Sequence, residues 1–221
     1  VPVYNRNNII LVNPLAPEAV KHLETPEPVK AIYMTSCVVS TPSFRDRLVA
    51  LIEETELNAV VIDIKDFTGT LSYKPKDELL LHSWESARCG TLDMEQFIKR
   101  LHDKNIYVIG RMTVFQDPHL AKRQPDLAVK FTSTGELWRD RKGLHFTDPG
   151  AKEVWDYHIA IAKDAYQIGF DELNFDYIRY PSDGPMTDIY FPKSNDQTKA
   201  LVLESFFAYL SHELKPTGMA I

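Results

Sequence analysis

The sequence predicts an α/β fold on a parallel sheet, of the (β/α)8 TIM-barrel type, and three observations predict it. A short β-branched run, a polar loop and an amphipathic helix recur in that order four times. The loops after strands are long and those after helices short, as in a barrel whose site is built from the post-strand loops. The segment after the first strand, residues 36–43, contains no glycine, unlike the phosphate-binding turn that opens many doubly wound sheets.

Each element follows from local pattern. Residues 29–34 (VKAIYM) form the first strand. Ser40-Thr41-Pro42 offers a cap and a helix-starting proline, and residues 44–54 supply the helix. The second strand, residues 59–64 (AVVIDI), precedes a long polar loop and a helix over residues 93–104. The third strand spans residues 106–112, and its loop closes at Thr147-Asp148-Pro149, again a cap and a proline. The following helix sets Val154, His158, Ile161, Ala165 and Ile168 on one face and stops at Gly169. The fourth strand lies within FDELNFDYI, its helix runs over residues 197–214, and a fifth strand begins at Met219-Ala220-Ile221. The expected organisation is an N-terminal extension, residues 1–28, and the first four to five β/α units of a barrel, residues 29–221. The remainder of the barrel is expected elsewhere in the protein or on another chain.

Composition narrows the function. A 221-residue chain that is 44% hydrophobic can bury a full core. A net charge of −6 argues against nucleic acid as the main partner. No apolar run reaches the roughly eighteen residues of a membrane span. The start, Val1-Pro2-Val3-Tyr4-Asn5-Arg6, reads as processed and is compatible with export. Cys37 and Cys89 lack metal spacing and are read as free thiols, a disulfide being the alternative in an oxidising compartment. No HxH, HExxH, Cys–His cluster or GxSxG occurs, so neither a zinc site, another metal or cofactor, nor an acyl-transfer serine is expected.

The charge in the fourth strand locates the candidate site. Side chains alternate along a strand, so Glu172, Asn174 and Asp176 share one face and Leu173, Phe175 and Tyr177 the other. The polar face then points into the barrel, with Asp176 nearest the carboxyl end, where barrel enzymes place catalytic groups. The alternative is a structural ion pair with Arg111 or Arg179. Asp63 and Lys65, expected on one face by alternation and followed by Asp66, end the second strand; Arg111 ends the third, with Asp117 beyond it. Converging acids and bases suit a polar substrate, and an ion-pair network reads the same way. Trp138, amid charges in a loop, is either a platform for a sugar ring or a hydrophobic plug. His158 is expected in the core, while His119 and His145 are minor candidates for substrate contact.

Taken in order, VIDIKD, IYVIGR through Phe115 to Asp117-Pro118, WRDRKG, Asp148-Pro149 to Val154-Trp155-Asp156-Tyr157 and FDELNFDYIRYPSDG resemble a bacterial glycoside hydrolase domain family first catalogued as a domain of unknown function. The resemblance implies a TIM-barrel glycosidase with α-amylase-like relatives, acting on a carbohydrate outside the cytoplasm, secreted or envelope-anchored. It implies Asp176 as nucleophile or base and a partner acid from later strand ends. Asp63, Lys65, Asp66, Arg111, Asp117, Trp138, Tyr177 and Arg179 are then expected to contact substrate. A non-catalytic carbohydrate-binding barrel is the alternative. The chitinase-type pattern DxxDxDxE is not met, because its terminal acid position holds Ile178.

Overall fold

The computed structural model describes residues 20–221. Four parallel strands, β1 (Ala31–Met34), β2 (Ala59–Lys65), β3 (Tyr107–Thr113) and β4 (Glu172–Asp176), lie side by side in chain order. The helices are α1 (Ser36–Val39), α2 (Pro42–Glu53), α3 (Leu81–Glu85), α4 (Met94–Asp103), α5 (Pro118–Arg123), α6 (Lys152–Gln167) and α7 (Lys199–Leu214). Ala220 continues the order, pairing with Glu172 in parallel and accepting the Leu173 N–H at 3.0 Å. The expected start of a fifth strand therefore sits beside β4. The expectation for residues 1–19 lies outside the described residues.

Why the sheet holds is visible in its periodicities. Met94, Phe97, Ile98 and Leu101 form the buried stripe of α4, and Val154, His158, Ile161, Ala162 and Ala165 that of α6. They pack on Val60, Ile62, Ile64, Val108, Met112 and Leu173, the helix-facing side of the strands. Gly110 permits close packing there, since a Cβ would lie 2.8 Å from Leu173. The opposite face stays open: Tyr33 is 44% exposed and Asn174 is exposed. Its amino-terminal end is covered by residues 20–25, where Leu23 packs on Ala59, Tyr107 and Ile109.

The two ends of β4 use their acids differently. Asp171, at the amino end, is buried and accepts the N–H groups of Leu23 and Val108 at 2.7 and 2.8 Å and bonds His102. It is a structural tie. Asp148 does not cap α6, which starts at Lys152; its carboxylate binds Lys193 N–H and Ser194 Oγ, both at 2.6 Å.

Two expectations are corrected. Cys37 and Cys89 are joined by a disulfide, because α1 turns straight after β1 and brings Cys37 to the end of the β2 loop, with Cα atoms 4.8 Å apart. Lys65 does not share the face of Asp63. A bulge lies between them, pairing Asp63 with Arg111 but Lys65 with Met112, so Lys65 turns towards the core.

Candidate active site

Alternation on β1 to β4 sends Tyr33, Asp63, Arg111 and Asp176 to one face, at the carboxyl ends of the strands. There Arg111 bridges two acids. Its Nη1 donates to Asp63 Oδ1 at 2.6 Å, while Nε and Nη2 both donate to Asp176 Oδ2, at 2.9 and 2.6 Å. Asp176 Oδ1 accepts the Tyr177 N–H at 2.6 Å, so the carboxylate is held at both oxygens. Tyr33 hydroxyl donates to Asp63 Oδ2. Tyr177 takes the left-handed φ of 56° as the chain leaves the strand.

Exposure separates the two acids. The Asp63 side chain is 6% exposed and that of Asp176 44%. Burial pushes the Asp63 carboxyl above the usual range, against the opposing hydrogen bonds from Tyr33 and Arg111. Burial also raises the Tyr33 hydroxyl, reinforced by its bond to Asp63. Burial alone would lower Arg111, yet its hydrogen bonds to Asp63 and Asp176 outweigh that and raise it. The result is a fixed cation that lines a cleft and holds one half-exposed carboxylate beside it.

That cleft has a volume of about 590 Å³ and is lined by Tyr33, Asp63, Asp66, Arg111, Thr113 and Tyr177, with the disulfide and the 67–70 turn on its far wall. Asp66 bonds Ser36 Oγ at 2.9 Å and Thr68 N–H at 2.9 Å. Of the residues expected to contact substrate, Asp63, Asp66, Arg111 and Tyr177 thus meet at one cleft, with Asp176 beside them on Arg111.

Four others are placed elsewhere. Lys65 and Asp117 are fully buried and form an ion pair at 2.8 Å; Lys65 also donates to the Thr113 carbonyl at 2.5 Å, and Asp117 accepts the Leu120 N–H that caps α5. They support the mouth from beneath and do not line it. Trp138 is a plug: its ring is fully buried, edge-on to Phe146, with Nε1 donating to the Pro185 carbonyl. A platform must offer its face to solvent, and this one is covered. Arg179 donates to Ser182 Oγ at 2.8 Å and lies over the Tyr177 ring, so Arg111 is the partner that Asp176 has. His119 bonds His82 and His145 bonds the Trp138 carbonyl, both away from the cleft lining. Sequence reasoning missed Tyr33, whose alternation with Asp63 across β1 and β2 was the available signal, and Phe67, an aromatic set in a polar turn.

A parallel α/β sheet of the barrel type with acids and an arginine at its carboxyl-terminal mouth has the layout in which barrel enzymes build their active sites. The chain belongs to the family described as "Putative glycosyl hydrolase domain", whose model matches residues 31–221. A crystal structure of a hypothetical protein from Ruminiclostridium thermocellum is similar at 35% identity with a TM-score of 0.72, covering 83% of this chain and 92% of that one. An α-galactosidase from Thermus thermophilus matches at 14% identity with a TM-score of 0.57, over 88% of this chain and 37% of that one. A maltogenic α-amylase from Thermotoga neapolitana matches at 18% with a TM-score of 0.53, over 87% and 44%. These two likenesses establish the TIM-barrel type of fold alone, and the chain spans less than half the length of either enzyme. A search of curated proteins gives no match. Among the described residues, no helix is long and apolar enough to cross a membrane.

Proposed function

We propose that this domain hydrolyses the glycosidic bonds of an oligo- or polysaccharide, with Asp176 as nucleophile or base. The observation that carries the reading is the Arg111 clamp. It fixes the half-exposed Asp176 carboxylate at a strand end, next to a cleft with ample room for a sugar ring.

Glycosidases of this kind use two carboxyl groups, about 5–5.5 Å apart when retaining and about 6.5–9.5 Å when inverting. Asp63 is engaged by Tyr33 and Arg111, and Asp66 by Ser36 and Thr68. The reading therefore assigns the acid to another strand end of the barrel. The disulfide supports a place for the protein outside the cytoplasm of a bacterium, secreted or at the envelope.

The test is a screen of the protein against neutral and charged polysaccharides for release of reducing ends, with the first-formed anomer read by NMR. Release from one glycan class supports hydrolysis. Saturable binding without release across the screen favours a carbohydrate-binding barrel instead.

A further inference from the structure

With Trp138 buried, the cleft still carries an aromatic face on its rim. A singly exposed apolar side chain is ordinary, but Phe67, 53% exposed, lines this cleft. Its turn is nonetheless tightly held. Asp66 Oδ1 accepts Thr68 N–H at 2.9 Å, Gly69 N–H donates to the Asp66 carbonyl at 3.0 Å, and Ser36 ties Asp66 to α1. Gly69, at φ 84°, sits hard against Asp117, where an added Cβ would lie 1.9 Å from Oδ1. Asp117 is fixed in turn by buried Lys65, and the far end of the loop is fastened by Cys37–Cys89. Hydrogen bonds, an ion pair and a disulfide thus immobilise a turn whose outermost side chain adds nothing to the core. Rigid presentation of an exposed aromatic ring is how a binding anchor is made.

We propose that Phe67 is the stacking platform of a sugar-ring subsite in this cleft. This rests on the carbohydrate reading above and deepens it. The apolar C–H face of a pyranose lies on the phenyl ring, and its hydroxyls reach Asp66, Thr68 and Thr70 on the same turn, with Tyr177 lining the cleft as well. The ring is an uncharged sugar. Asp63 and Asp66 balance Arg88 and Arg111 in the cleft lining, and Arg111 is already bonded to two acids, so an anionic unit meets no net positive charge.

The experiment is isothermal titration of the Asp176→Asn protein, in which turnover is stopped, with cello-, malto-, xylo- and chito-oligosaccharides and an oligogalacturonide. At least one neutral oligosaccharide binds, Phe67→Ala weakens it by about tenfold or more, and Phe67→Trp restores it with an emission change on sugar addition. The melting temperature of Phe67→Ala stays that of its parent, which separates lost contact from lost fold. Unchanged affinity in Phe67→Ala, or no binding across the panel, overturns the subsite. Tighter binding of the oligogalacturonide overturns the neutral assignment. Phe67-dependent binding with no hydrolysis by the unsubstituted protein sinks only the hydrolase reading.

Discussion

His158 gives the fold a calculable acid limit. It lies in α6, fully buried, with Nδ1 on the Val154 carbonyl at 2.7 Å and, among the described residues, no hydrogen-bond partner for Nε2. Burial first, and Lys65 nearby second, push its pKa from 6.5 down to about 3. The unfolded chain therefore binds a proton between these values that the folded chain refuses. Stability rises with pH across this window and is lost as pH falls from about 6.5 towards 3. Each pH unit in the window is worth up to about 1.4 kcal/mol, so pH 5 costs about 2 kcal/mol and the whole window about 5. Urea unfolding at pH 7, 6, 5 and 4, for the protein and for His158→Gln, measures this. The variant starts lower at pH 7 because the core is disturbed, but its stability falls less steeply with acid. Parallel curves for the two proteins would refute the buried neutral imidazole.

Three further outcomes follow from the site and its supports. Arg111→Met leaves nearly buried Asp63 uncompensated and is expected to cost about 2–4 kcal/mol in urea unfolding at pH 7, with the exposed Asp176 side adding little. Asp63 protonates more readily without the arginine, so that loss shrinks as pH falls. Replacing Cys37 and Cys89 by serine opens a 52-residue loop and is expected to cost about 4 kcal/mol, read as a melting shift that reducing agent reproduces in the parent. Trp138→Ala is expected to cost about 3–5 kcal/mol while sparing glycan affinity in the folded fraction. Weaker binding at unchanged stability would return Trp138 to the cleft.

Much of this was legible in the chain. The alternation in FDELNFD places Asp176 and Asn174 on the open face and Leu173 in the core, and the apolar stripes of α4 and α6 are plain in the sequence. Lys65 was misplaced because strict alternation holds only in an unbroken ladder, and no residue type announces the bulge before it. Trp138 stayed open between platform and plug, and Phe67 was passed over, for a related reason. Both are aromatics in polar loops, and which is covered depends on long-range packing against Phe146 and Pro185. The disulfide likewise depends on how α1 faces the end of a distant loop.

Asp176→Asn tests the central claim most directly. On the glycan that the protein cleaves, kcat is expected to fall by about 10²–10⁴ while urea stability changes little, the half-exposed carboxylate contributing little to folding. Unchanged kcat in a folded Asp176→Asn protein would contradict the account.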